Sequence, residues 1–214
     1  MIKTIQKLLF ICFLSIYVTL NLAHAEASDD IFNHPLSAKN QLAFDKVQQK
    51  QAKIDHVCGQ FIQIRHMKLL SKPLKSSGTF ELSKKNGLKW LQEKPFQSTL
   101  IVTSDKIEQS IEGKPAITIT KKEQPIVFSF TTVFLSIFKG NAEALKQYFY
   151  IYFTQNNDSW HIALKPRGSP LDKAIQSIEM TGEKYASRIL VNETQGNQMS
   201  IEFDNVKELN TKQI

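Results

Sequence analysis

Most of the chain between residues 61 and 203 is a succession of short apolar runs, closely spaced and separated by Gly, Pro, Asn or Asp. Phe61-Ile62-Gln63-Ile64-Arg65 opens a strand that is expected to extend to Leu69-Leu70 and to break at Pro73. Residues 79–82, 88–91, 99–103, 106–111 and 116–120 follow, with Asn86-Gly87 as a hairpin signal. Strand patterns return at 148–154, 160–164, 174–180, 187–191 and 199–203. Short strands at this turn spacing predict an antiparallel meander. About ten or eleven of them exceed the usual four to six of one sheet, so a strongly curved sheet or an unclosed barrel is expected. The fold class is mainly β (α+β).

Two stretches break the pattern. Residues 37–54 contain no Gly or Pro, and Leu42, Val47 and Ile54 can share one face, which predicts a helix capped by Ser37 or Asn40. Residues 125–153 hold six of the 14 Phe: Phe128, Phe130, Phe134, Phe138, Phe149 and Phe153. Within them, residues 133–138 and 141–145 read as two short apolar helical pieces around Gly140.

The N-terminus bears on compartment. Lys3 and Lys7 precede a nearly unbroken apolar run over residues 8–22, and Ala23-His24-Ala25 supplies a small-x-small site before Glu26. That is the layout of a cleaved secretory signal peptide over 1–25, and the run is shorter than the 18 or more residues of a spanning helix. Removing 25 of the 214 residues leaves 189, enough for a sizeable core. The expected organisation is a flexible leader at 26–36, one domain at 37–208 and a tail at 209–214. Of the two cysteines only Cys58 would remain, so no internal disulfide is available. The protein is expected to be exported.

Chemistry-bearing motifs are sparse. His56 and Cys58 are two apart and would share a strand face, the arrangement of a nucleophile and its base, yet no acid that would orient the histidine is evident in the sequence. Ser136-Ile137-Phe138-Lys139 matches S-x-x-K, but no Lys-Thr-Gly partner follows. The histidines show no metal-ligand spacing, and there is no phosphate-cradling glycine loop. No catalytic residue, metal or cofactor is expected, and the protein is read as a non-enzyme. Lys and Arg total 27 against 20 acidic residues, but only Arg65, Arg167 and Arg188 are arginines, which disfavours nucleic-acid recognition. Lys72, Lys75, Lys84, Lys85, Lys89 and Lys94 form a basic region suited to a solvated face, anionic headgroups or an acidic partner. A many-stranded sheet that does not close leaves a concave apolar face needing a cover or a ligand.

The order of several motifs resembles a known family. Phe61-x-Gln63-x-Arg65 is followed by Lys68-x-Leu70-x-x-Pro73-Leu74-x-Ser76-x-Gly78-x-Phe80, then by Trp90, Pro95-Phe96 and Ser104-Asp105. Further on come Phe138-x-Gly140-x-x-x-x-Leu145-x-x-Tyr148-Phe149, Trp160-x-x-x-Leu164-x-Pro166 and a final hairpin through residues 189–205. Over about residues 40–206 the chain is similar to the periplasmic outer-membrane lipoprotein carriers, LolA, and particularly to divergent LolA-like members.

The resemblance implies an unclosed antiparallel β-barrel of the LolA/LolB kind, with helices forming a lid over an apolar cavity. It implies a monomeric carrier that takes acylated lipoproteins from an inner-membrane ABC transporter (LolCDE-like) to an outer-membrane receptor (LolB-like). By apolarity and position, Phe61, Phe80, Trp90, Phe130, Phe134, Phe138 and Phe149 are expected to line the cavity or lid. Where the family has an Arg-Pro pair whose Arg holds the lid, this sequence has Lys84 and Lys85, so Lys84 is the lid-latch candidate. The alternative function is a periplasmic lipid- or glycolipid-binding module of a dedicated pathway rather than a general lipoprotein carrier.

Overall fold

A computed structural model describes residues 30–123, 128, 135–136 and 140–209. Among them the apolar alternation produces eleven strands in one antiparallel sheet. The first meander comprises β1 (His56–His66), β2 (Leu74–Ser83), β3 (Gly87–Lys94), β4 (Ser98–Val102), β5 (Lys106–Ile111) and β6 (Ile117–Thr120). The second comprises β7 (Phe149–Asn156), β8 (Ser159–Pro166), β9 (Ile175–Gly182), β10 (Ala186–Glu193) and β11 (Gln198–Glu208). The order is β6-β5-β4-β3-β2-β1-β11-β10-β9-β8-β7, so the meanders join where β1 pairs with β11. Strands β6 and β7 are the two edges, and the sheet is not closed.

The expected strand from residue 61 through Leu69-Leu70 ends earlier. β1 stops at His66, and Leu69 and Leu70 stand exposed in the connection to β2. The apolar residues there continue a strand pattern by composition, but no neighbouring strand pairs with them.

The helix expected over residues 37–54 is α1 (Gln41–Ala52). It buries Phe44, Val47, Gln48 and Gln51, whereas Leu42 is 68% exposed and does not share the packed face. Its orientation is fixed by tertiary contacts. Phe44 meets Phe153 edge to face at 5.5 Å, and the Asn40 side chain donates to the Phe153 carbonyl at 3.0 Å. Asn40 thus ties the helix start to β7 and makes no side-chain cap. Helix α2 (Ala142–Tyr148) is the second helical piece, capped by Asn141, whose side chain accepts from the Ala144 amide at 3.1 Å. Of the first piece, Leu135 and Ser136 are described and helical.

Gly140 lets the turn before α2 abut α1. Its φ of +63° lies in the left-handed region, and a Cβ there would stand 2.3 Å from the Gln48 carbonyl oxygen. Helices α1 and α2 cover the inner face of the second meander. Phe44, Leu145, Phe149, Phe153, Ile162, Met180 and Ile189 make one buried cluster there, each 3% exposed or less.

Candidate functional site: an apolar inner face with an aromatic floor

The inner face of the first meander is built differently. Cross-strand register places Phe61 opposite Phe203, Phe80 opposite Trp90, and Trp90 opposite Leu100, so these side chains share the face on which α1 lies. Phe61 stacks on Trp90 with ring centroids 3.7 Å apart. Phe203 meets Phe80 edge to face at 5.0 Å and Trp90 at 6.3 Å. Gly59 makes room for this arrangement: a Cβ there would lie 2.8 Å from Phe80 Cε1. Edge-to-face pairs such as Phe203 with Phe80 add about 0.5–1.5 kcal/mol each beyond their buried area.

Beyond that floor the burial falls away. Phe61 and Phe80 are buried, Trp90, Leu100, Ile107 and Ile119 are half-buried, and Ile117 on the edge strand is 70% exposed. Leu135, from the Phe-rich segment, packs onto this face with Val57, Phe80, Leu88 and Val102. A groove of about 640 Å³ opens at one end of the sheet beside Trp160, Tyr185, Phe203 and Val206. Its lining also includes the polar residues Asn156, Ser159, His161, Thr181 and Asp204.

The C-terminus of α1 is held at that same end by two hairpin turns. Lys84, in the β2–β3 turn, donates through Nζ to the carbonyl of Ala52, the last helical residue, and pairs with Asp55 at 2.6 Å. Gln51 Nε2 donates to the Lys184 carbonyl in the β9–β10 turn at 3.0 Å. Lys184 Nζ and the Tyr185 hydroxyl both donate to Glu208, at 3.0 and 3.1 Å. The Lys184 hydrogen bond above all, then that of Tyr185, holds the Glu208 carboxyl below the usual carboxylate range. A hydrogen bond with Tyr185 first, then that to Glu208, pushes the Lys184 ammonium up.

Of the residues expected at the cavity or lid, Phe61, Phe80 and Trp90 come together in the aromatic floor. Phe149 lies instead in the filled half, fully buried beneath the helices. Phe130, Phe134 and Phe138 lie outside the described residues. Phe203 escaped the sequence reading, because its part in the floor depends on pairing with Phe61, 142 positions away. The alternation of Ile201 and Phe203 was the available signal.

His56 is not a surface residue. It is 8% exposed, and its Nε2 lies 2.8 Å from Glu81 Oε1, an acid that the register brings opposite Cys58. Cys58 itself is half-buried and free, and its thiol has no hydrogen bond to His56 among the contacts of the described residues. No three His, Cys, Asp or Glu side chains among the described residues gather as a metal-binding group. No helix among them is long and apolar enough to cross a membrane.

The described residues thus form an open antiparallel sheet whose inner face carries two helices and an aromatic floor. The chain belongs to the outer membrane lipoprotein carrier protein LolA-like family, whose model matches residues 36–200. No curated protein matches its sequence significantly. Among solved structures, it is similar to a LolA superfamily protein from Nitrosomonas europaea, with 7% identity, a TM-score of 0.43, and coverage of 77% of this chain and 93% of the other. A DUF1329 family protein from Desulfovibrio piger gives 6% identity and a TM-score of 0.43, covering 78% of this chain and 92% of that one. LprF from Mycobacterium bovis gives 10% identity and a TM-score of 0.35, covering 83% and 97%. The family assignment rests on the sequence match over residues 36–200.

Proposed function

We propose that this protein is a periplasmic carrier that shelters the acyl chains of lipoproteins, or of a related lipid, on the inner face of its first meander. The observation that carries the reading is the contrast between the two halves of that face. The second meander is filled by α1 and α2, whereas the floor of Phe61, Phe80, Trp90 and Phe203 is flanked by apolar residues left half-covered. Leaving a chain of roughly 16 carbons in water costs about 13 kcal/mol at about 0.8 kcal/mol per CH₂. A face offering similar apolar shelter makes transfer nearly balanced, and a cover over the empty face makes it reversible. No covalent step or cofactor is needed.

In this reading residues 1–25 are a cleaved signal peptide and residues 37–208 one carrier domain. Phe130, Phe134 and Phe138 belong to the cavity or its lid, and Lys84 is the lid latch, acting through the Ala52 carbonyl. The donor of cargo is an inner-membrane ABC transporter of the LolCDE kind, and the acceptor an outer-membrane receptor of the LolB kind.

The second reading is a lipid- or glycolipid-binding module of a dedicated pathway. It is favoured by Lys84, a point charge on one helix carbonyl where the lipoprotein carriers use an Arg fork. Native mass spectrometry with lipid extraction, on protein purified gently from the periplasm, separates the two. A co-purifying triacylated lipoprotein supports the carrier. A free glycolipid or fatty acid supports the dedicated module. A consistently empty protein that takes up no acyl probe overturns both.

A further inference from the structure

The apolar side chains that the fold leaves exposed are not scattered. Of nine large ones among the described residues, six border three hairpin connections: Leu69, Leu70, Leu74, Phe96, Ile111 and Ile117. Register fixes where these connections lie. Arg65 pairs with Leu74, Gln92 with Ser98, and Gln109 with Ile117, so β1–β2, β3–β4 and β5–β6 all turn at the same end of the first meander. The turns at the opposite end contain Lys84-Lys85-Asn86 and Thr103-Ser104-Asp105, with no apolar residue at all. Chance exposure would not respect one end.

Cations are interleaved with these tips. Lys68, Lys72, Lys75, Lys94 and Lys114 flank them, against Glu93 and Glu112, and none of these five lysines has an ion-pair partner among the described residues. Arg65 and Glu193, at the neighbouring β10–β11 turn, neutralise each other at 2.6 Å. The excess charge of the rim is therefore positive and unspent.

We propose that this rim docks on an anionic phospholipid bilayer, with Leu69, Leu70 and Phe96 entering the headgroup layer and the lysines meeting phosphates. Apolar tips set among lysines are the pattern of interfacial membrane binding, and each lysine near an anionic surface adds to the attraction. Three separately projecting turns suit a fluid layer that conforms to each tip. The inference does not depend on what occupies the inner face, since the inserting residues Leu69, Leu70 and Phe96 do not belong to that face's aromatic floor or its flank.

The test is co-sedimentation of the exported, processed protein with phosphatidylglycerol/phosphatidylethanolamine vesicles and, separately, with phosphatidylcholine vesicles. The wild type should pellet with the anionic vesicles and be released by salt of about 0.5 M, where charges are screened within a few ångströms. Leu69→Ser with Leu70→Ser should weaken partitioning about tenfold or more, while Lys85→Gln at the opposite end should leave it unchanged. Circular dichroism checks folding, and Phe96→Ser gives an independent rim variant should the first not fold. A wild type that stays in the supernatant with anionic vesicles overturns the proposal, as it would if an acidic protein were the true partner. Rim variants that pellet as well as the wild type, or equal pelleting with phosphatidylcholine, also overturn it. Uptake of a fluorescent fatty acid in solution, measured on the same variants, reports the inner face separately and should not change.

Discussion

Lys84 Nζ donates to the carbonyl of Ala52, so a side chain in the β2–β3 turn holds the last residue of helix α1. The contact ties a covering helix to the sheet at a single donor, with Asp55 as the counter-ion. Lys84→Met should shift unfolding free energy by less than about 1 kcal/mol, because the ion pair is partly solvated. Release of a bound fluorescent fatty acid should nevertheless quicken severalfold, and Lys84→Arg should restore the slower rate. Stopped-flow displacement measures it; an unchanged release rate removes the latch role.

Trp90 is the half-buried member of the aromatic floor and one of only two tryptophans, the other being the 4%-exposed Trp160. In a Trp160→Phe protein, Trp90 becomes the sole reporter. Its emission should move to shorter wavelength as acyl ligand displaces water. Trp90→Ala should weaken acyl binding by tenfold or more while the sheet signal in circular dichroism persists. Emission indifferent to ligand would place the site elsewhere.

Phe149 should behave as core. It is fully buried against α1 and α2, so Phe149→Ala should cost about 3–5 kcal/mol in urea unfolding, with or without ligand. A variant that stays stable but fails to bind lipid would instead assign it to the cavity.

Gly140→Ala meets two obstacles at once: a φ of +63° and the Gln48 carbonyl in the space a Cβ needs. The expected loss is about 2–4 kcal/mol, read from a lower urea midpoint at constant m-value. A change below about 0.5 kcal/mol would mean that α1 does not hold this close approach in solution.

Glu208 should titrate below ordinary glutamates, since Lys184 and Tyr185 stabilise its ionised form. The sign follows from linkage: the cluster's contribution is present above the unfolded value and is lost as pH falls through the lowered folded one. Carboxyl NMR titration checks this, and Lys184→Met should move Glu208 back up.

The strand content was legible because residues facing one side of a sheet repeat every second position, as with Phe149, Ile151 and Phe153 of β7. Facts that depend on register were not. Glu81 reaches His56, and Phe203 reaches Phe80, only through pairing between strands far apart in sequence. Leu42 illustrates a different loss: α1 carries too little apolar contrast to declare its own face, and the Asn40 and Phe44 contacts with Phe153 decide it. Apolar composition alone also cannot separate Phe149, beneath two helices, from Trp90, at the half-covered floor. Leu69 and Leu70 look like strand residues in the sequence for the same reason that they are conspicuous in the fold: nothing pairs with them.

The pairing of β1 with β11 has a consequence for how the molecule comes into being. The first and last strands meet at the centre of the sheet, Phe61 beside Phe203, so the middle is the last part to be completed. Until the ribosome has delivered the C-terminal strand, β1 lacks one of its two neighbours and the two meanders have no shared spine. Contacts this distant along the chain are slow to form. A polypeptide wired in this way cannot complete the spine of its sheet before its last strand is made, and a chain terminated ahead of residue 198 would leave two half-sheets without the strand that pairs them.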